Sequence, residues 1–479
     1  MYEPKLKLYR HQQEALTKMS DKPAFALLMA MRTGKSATLL ANFGMLEQKG
    51  QVQDLLIIAP AGVYATWLKA IDEHVSDELR SRLLIHKWSA SATKAEQRDL
   101  HWFMNEQGKP RILLVNVEAL SSVKRAKDIC TQFLGQRSSM CVIDESTVIK
   151  SPTSQRTKFI NGTLAPLAKY RRILTGLVAP NSPLDVYAQF QFLGPKLLGF
   201  SSFYAFRARY AVTKKLSVGG RSIDIVVSYR DVDELRSRIE PHSFRVRLEE
   251  CYEIRDPIYT VRHVEMTDEQ KRVYNDLKNF ASAQLEGEEF VSAQQVITQI
   301  LRMHQVLCGH TRTEEGVLRE LSEHRTSALL ELLGEYDGKA IIWCSYDHDI
   351  RKVSSALEKE YGKGSVARFW GGNRSTREDE EAKFFQSPDC RFMVATAAAG
   401  GRGRTWVQAD LVIYYSNTHD LEHRAQSEER PKGVGKTCAI NYVDLMVLGT
   451  VDEKIISALR NKINIASTIS GDTYKSWLI

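Results

Sequence analysis

The segment Ala30-Met31-Arg32-Thr33-Gly34-Lys35-Ser36 follows an apolar run at residues 24–29 and opens a stretch with helical patterning. A bound triphosphate needs backbone N–H groups converging on its oxygens, a cation near its β and γ phosphates, and Mg²⁺. Arg32, Thr33 and Gly34 would form the turn, with Gly34 permitting close backbone approach. Lys35 would supply the cation and Ser36 a hydroxyl ligand for Mg²⁺. Met29 stands where the strict phosphate-loop pattern has its first glycine, so a plain helix start competes with this reading of the segment alone. Farther along, Val142-Ile143-Asp144-Glu145-Ser146 has the build of a strand that ends in acids. Asp144 would hold Mg²⁺, and Glu145 would orient and deprotonate the attacking water. A helix-capping acid pair accounts for the second segment but leaves the first unexplained. Together the two indicate an ATP-hydrolysing site.

Such side chains must stand at the ends of buried strands. Short aliphatic runs at 25–29, 55–59, 112–115 and 141–143 are separated by amphipathic stretches, which predicts a buried parallel sheet with helices on both faces. Residues 200–325 change character: an aromatic and basic run at 203–210, a Gly219-Gly220 turn, then helical patterns at 268–285 and 293–307. From 323 the α/β rhythm returns, with strand candidates at 340–344, 392–395 and 411–415. The expected organisation is an ATP-binding α/β lobe at 1–199, helical insertions and a linker at 200–322, and a second α/β lobe at 323–479. A chain of 479 residues is too long for one core at ~150 residues per domain. Its 43% hydrophobic and 26% charged residues exclude bulk disorder.

A net charge of +8 favours an anionic partner such as nucleic acid, although a solvated basic surface would give the same value. No signal-peptide pattern and no apolar run of ~18 residues appears, so no membrane span is expected. Seven scattered cysteines without a Cys-x-x-Cys pair indicate reduced thiols in a cytoplasmic-type compartment.

Several segments, in order, resemble the motifs of Swi/Snf-related superfamily-two helicases. Asp144-Glu145-Ser146-Thr147 through Ser151-Pro152 resembles motif II, and Leu174-Thr175-Gly176 through Pro183, with Asp185, Tyr187 and Gln189, resembles motif III. Leu8-Tyr9-Arg10-His11-Gln12 resembles the adenine-reading segment, Ala59-Pro60 with Trp67 motif Ia, and Asn116-Val117-Glu118 the next strand-end motif. Ala395-Thr396 through Gly403 resembles motif V, and Gln426 to Arg430 motif VI. The similarity is greatest to compact, phage-type members. It implies two tandem RecA-like lobes with ATP and Mg²⁺ in the cleft between them. Gln12 would read adenine, Gly403 and Gln426 would join the nucleotide site, and Arg430 would be the arginine finger. A guanidinium suits that role because charge accumulates on the transferring phosphoryl group.

The resemblance further implies an ATP-dependent DNA translocase or helicase acting in replication, recombination or repair. Duplex is favoured over single strands, with little sequence preference, by a monomer in the cytoplasm (the host's, if phage-encoded). Strand-tracking proteins chiefly hold phosphates. Candidates on the loops away from ATP are Ala61, Gly62, Asn116, Ser345, Gly371, Gly372, Gly401, Arg402 and Thr405. Arg207, Arg209, Lys214, Lys215 and Arg221 would form an outer rim, and Trp370 reads as a core residue before a Gly-Gly turn. Two departures stand out. Gly433 occupies the place of the family's second motif VI arginine, with Lys432 and Lys436 as the nearby cations, and Leu177-Val178 replaces a Thr-Pro pair. They support an alternative, an ATP-binding and DNA-binding scaffold with weak or lost turnover. His304, Cys308 and His310 lack a nearby fourth zinc ligand, and Gly433-Val434-Gly435-Lys436-Thr437 lacks the upstream glycine of a second phosphate loop.

Overall fold

Unbroken apolar runs cannot present one face to water, and here they do not. In a computed structural model describing residues 2–218, 221–252, 255–286, 293–312, 316–400, 405–433, 436 and 438–470, the chain divides into two compact units. Residues up to 212 with 228–252 form most of the first, and 255–464 form most of the second. Each is built on a parallel sheet flanked by helices, the arrangement of a RecA-like lobe.

The first sheet comprises β1 (Ala24–Met29), β2 (Asp54–Ala59), β3 (Leu84–Lys87), β4 (Arg111–Asn116), β5 (Ser139–Asp144), β6 (Tyr170–Leu174) and β7 (Ser243–Val246), in the order β3-β4-β2-β5-β6-β1-β7. Successive residues of a strand point to opposite faces. Phe25, Leu27 and Met29 therefore join Ile57, Leu114 and Val142 in one core, while Ala26 and Leu28 join Ile58, Val115 and Ile143 in another. Both faces are buried, as the continuous runs require. Asp54 and Arg111, each at the start of its strand, form a fully buried pair with Nη2 2.7 Å from Oδ2. That pair holds the β2–β4 register that sets Ala59 beside Asn116 at the far end.

The second sheet comprises β8 (Ile258–His263), β9 (Lys339–Trp343), β10 (Val366–Phe369), β11 (Phe392–Ala395), β12 (Ala409–Tyr414) and β13 (Asn441–Met446), in the order β8-β13-β12-β9-β11-β10. Ile342, Val394 and Ile413 enter one core, and Ile341, Met393 and Val412 the opposite one. The helical patterns expected near 268 and 293 form helices Asp268–Glu286 and Ala293–Leu307. The same stretch also contributes strands: β7 pairs with β1, and β8 pairs with β13.

Helix α1 (Arg10–Met19) carries Gln12, and a buried cation fixes its far end. Arg172 of β6 is fully buried. Its guanidinium donates to the carbonyls of Met19 (3.3 Å), Lys22 (2.9 Å), Pro23 (3.2 Å) and Arg171 (2.9 Å), and to Asn42 Oδ1 (3.1 Å). These acceptors include the negative end of α1, which stabilises a positive charge. Arg172→Met should leave them buried without donors and lower unfolding stability by about 3 kcal/mol, measured by urea denaturation. A loss below about 1 kcal/mol would show that the cage is dispensable.

Candidate active site

The loop after β1 makes a turn that few residues tolerate. Arg32 has φ 66° and Gly34 φ 84°, both left-handed. A Cβ on Gly34 would lie 2.0 Å from Gln12 Nε2, so any other residue would displace that amide as well as strain the backbone. Helix α2 (Lys35–Gln48) starts immediately afterwards and presents its N-terminus, with Lys35 and Ser36 in its first turn. Lys35 Nζ donates to the carbonyls of Met29 (2.9 Å) and Ala30 (3.2 Å), which keeps it folded back over the turn. The Thr33 carbonyl accepts from Gln12 Nε2 at 3.1 Å and lies 2.7 Å from His11 Nε2. Gln12 Oε1 accepts from the Tyr9 N–H at 3.0 Å. Gln12 thus ties α1 to the turn.

Asp144 ends β5, and β6 lies between β5 and β1. Its Oδ2 accepts from the Trp67 indole N–H at 2.9 Å, with Trp67 on α3 (Tyr64–His74). Burial raises the Asp144 pKa, opposed by the Trp67 hydrogen bond, the Lys35 charge and the Glu145 N–H. Glu145 follows with φ 49°, ψ 62°, a left-handed conformation that strains a non-glycine residue by about 1–3 kcal/mol and that is found most at functional sites. The next residue, Ser146, donates to Gln189 Oε1 at 2.6 Å. Gln189, on α4 (Asp185–Leu193), in turn donates to the Val178 carbonyl at 2.6 Å, joining the acid loop to the loop after β6. Leu177 N–H donates to Thr175 Oγ1 at 3.1 Å, so the hydroxyl that the segment retains closes its own turn.

In the second unit, α5 (Leu421–Glu428) carries Gln426 and leads directly to Arg430. Arg424 fixes this helix: fully buried, it binds Glu428 (2.6 Å) and Asp444 (2.6 Å) and lies 3.4 Å from the Tyr414 ring centroid. Arg430 is 2% exposed. Its Nε donates to the Gln426 carbonyl at 2.9 Å, and its own carbonyl accepts from the Trp406 N–H at 2.8 Å. Gln426 is buried, with its Oε1 lacking a hydrogen-bond partner among the described residues. Lys432 pairs with Glu429 at 2.6 Å, and Lys436 sits among the Val407, Ala409 and Pro431 carbonyls beside Asp410. Both lysines near Gly433 are thus engaged locally. Gly403 lies outside the described residues.

Among the described residues, most of the expected phosphate contacts follow the carboxyl end of a strand in their own unit. Ala61 and Gly62 follow β2 in a 3₁₀ turn, and Asn116 ends β4. Ser345 follows β9, its N–H donating to Ser416 Oγ at 2.8 Å, and exposed Gly371 and Gly372 follow β10. Thr405 is exposed, while Gly401 and Arg402 lie outside the described residues. Of the outer rim, Arg209 is paired with Asp231 and Glu234, and Lys214 and Lys215 are exposed. Trp370 is buried, with Arg351 over its ring. His304 lies 2.7 Å from the Tyr346 hydroxyl and His310 3.3 Å from Asp349, both inside a buried polar cluster.

Sequence reasoning did not assign Trp67 to Asp144, Arg424 to the support of Arg430, or Arg172 to α1. Each depends on a partner distant in the chain, which local pattern does not reveal.

Residues 11–312 match the SNF2-related domain and residues 324–431 the helicase conserved C-terminal domain. The TATA-binding protein-associated factor MOT1 of Saccharomyces cerevisiae is 23% identical over 381 residues, covering 69% of this chain and 20% of that protein. The SWI/SNF-related matrix-associated actin-dependent regulator of chromatin subfamily A-like protein 1 of Xenopus laevis is 23% identical over 418 residues, covering 86% and 39%. The Sulfolobus solfataricus SWI2/SNF2 ATPase core in complex with dsDNA aligns with a TM-score of 0.42 at 20% identity, over 98% of this chain and 95% of that one. The chain spans 20% to 39% of the length of these two curated relatives. No helix among the described residues is long and apolar enough to cross a membrane. With the first match alone covering more than half of its residues, the chain belongs to the SNF2-related family.

Proposed function

We propose that this chain is an ATP-driven DNA translocase or helicase, a DNA-dependent ATPase that couples cleavage of the β–γ phosphoanhydride to movement along DNA. One observation carries the reading: Lys35 opens the helix that follows β1, Asp144 ends β5 of the same sheet, and the lysine charge favours the ionised carboxylate. Lys35 and the turn at Arg32, Thr33 and Gly34 bind the phosphates, and Gln12 and Gln426 complete the nucleotide site. Glu145 positions the attacking water, and Arg430 is the arginine finger. Asp144 and Ser36 offer the hard oxygen donors that suit Mg²⁺, and the buried carboxylate fits such a charge. Bound there, Mg²⁺ would neutralise charge on the β and γ phosphates.

The partner is DNA, duplex before single strands, bound through phosphates by a monomer. Motif similarity further supports a compact, phage-type member working in replication, recombination or repair, in the cytoplasm.

The test is steady-state ATP hydrolysis without nucleic acid and then with duplex DNA, single-stranded DNA and RNA, beside Lys35→Ala. Strong stimulation by duplex, absent from Lys35→Ala, is the expected result. ATP binding without hydrolysis under any condition would put the scaffold reading first. Greater stimulation by RNA would replace the DNA assignment.

Trp67→Phe removes the N–H that orients Asp144. It should raise the Mg²⁺ concentration for half-maximal hydrolysis about tenfold or more. An unchanged Mg²⁺ requirement would show that the indole only packs.

A further inference from the structure

Beside Asn116 the first unit contains a groove of about 580 Å³, lined by Tyr64, Trp88, Ser89, Ser91, Asn116 and Glu118 among others. Its floor is the carboxyl end of the sheet: Lys87 ends β3, Asn116 ends β4, and Tyr64 starts α3. This is where ligands gather in open parallel sheets. The volume lies within the ~300–1,000 Å³ of small-molecule sites. It admits a base with its sugar and excludes a duplex.

Trp88 is 3% exposed, and its N–H continues the sheet ladder to the Leu114 carbonyl at 2.9 Å. Ser89 Oγ accepts from the Ser91 N–H at 3.3 Å, which shapes the opposite lip. The buried Tyr64 hydroxyl faces the Asn116 backbone without a hydrogen bond of regular geometry. A buried hydroxyl left this way favours a ligand that supplies an acceptor.

The lining also selects among ligands. Exposed Glu118 repels a phosphate inside the groove, and Lys87 is the only basic residue among the described lining. A nucleobase offers a flat face to the partly exposed Tyr64 ring, and its edge carries both donors and acceptors for the serines. Under the function proposed above, on which this inference rests, Asn116 holds a phosphate of the bound strand. A nucleotide turned out of the stack at that point would bring its base to the groove. We infer that the groove receives an unstacked nucleobase of the DNA strand that the protein tracks.

The test compares binding of three DNAs at one salt concentration: a flush duplex, the same duplex with a one-nucleotide bulge, and that bulge made abasic. The protein is the full chain, as wild type and as Ala90→Trp, which fills the groove from its exposed lip. The wild type should bind the bulge about tenfold more tightly than the abasic bulge. Ala90→Trp should erase that difference and bind the flush duplex as the wild type does. Equal affinity for the two bulges, or a preference that survives Ala90→Trp, overturns the inference while the DNA reading stands. Failure to bind any of the three overturns both.

Discussion

Arg430→Ala is expected to lower ATP turnover by about 10³-fold or more while nucleotide binding stays within a few-fold of wild type. A finger acts on charge that develops only in the transition state, so its removal spares the ground state. The side chain stands two residues past a helix that Arg424 locks through Glu428 and Asp444. Its backbone is further held by Trp406. Truncation at Arg430 should therefore leave the helix in place, and thermal unfolding of the variant checks this. Arg430→Lys should recover little, because an ammonium lacks the planar fork. The measurement is single-turnover phosphate release beside equilibrium binding of a fluorescent nucleotide. A loss below about tenfold would move the role elsewhere, although Lys432 and Lys436 both have local partners.

Glu145→Gln should bind nucleotide at least as well as the wild type and hydrolyse it about 10²- to 10⁴-fold more slowly. Glutamine has the same shape and can hold a water, but it cannot take its proton. The left-handed backbone at this position bears on the outcome. Asp144, one residue earlier, completes its strand and turns its carboxylate toward Trp67 and Lys35. The reversal at Glu145 then re-aims the chain so that Ser146 reaches Gln189. Glutamine accepts that backbone as glutamate does, so the fold should be unchanged and the loss should belong to the chemistry. Normal turnover would show that another group orients the water.

The turn between β1 and α2 and the strand that ends in Asp144 were legible because each follows an unbroken apolar run. Both faces of the sheet are covered, so the runs need no alternation, and β1, β2, β4 and β5 appear within a few residues of their expected places. The long helices at Asp268–Glu286 and Ala293–Leu307 were legible from their periodicity. The edge strands were not. Ser243–Val246 has four residues of mixed polarity, and Ile258–His263 has four of its six residues exposed and none buried. An outer strand with water on one side gives no apolar run. The contact between Gly34 and the Gln12 amide was not legible either. Which side chain occupies a glycine's missing Cβ depends on packing, and sequence spacing does not encode it.

Those two edge strands also set a timetable for biosynthesis. Ala26 is made early, yet its neighbour across β1 and β7 is Ser243. The opposite holds in the second sheet, where Ile258 emerges first and pairs with Asn441 of the last strand. While the chain is translated at ~5–20 residues per second, β1 waits with one side open and β8 waits for nearly its whole lobe. Open strand edges invite pairing with other chains. A ribosome stalled between His263 and Asn441 should therefore carry a first sheet with all its strands and a β8 still without its partner, making that window the interval of greatest dependence on holding chaperones.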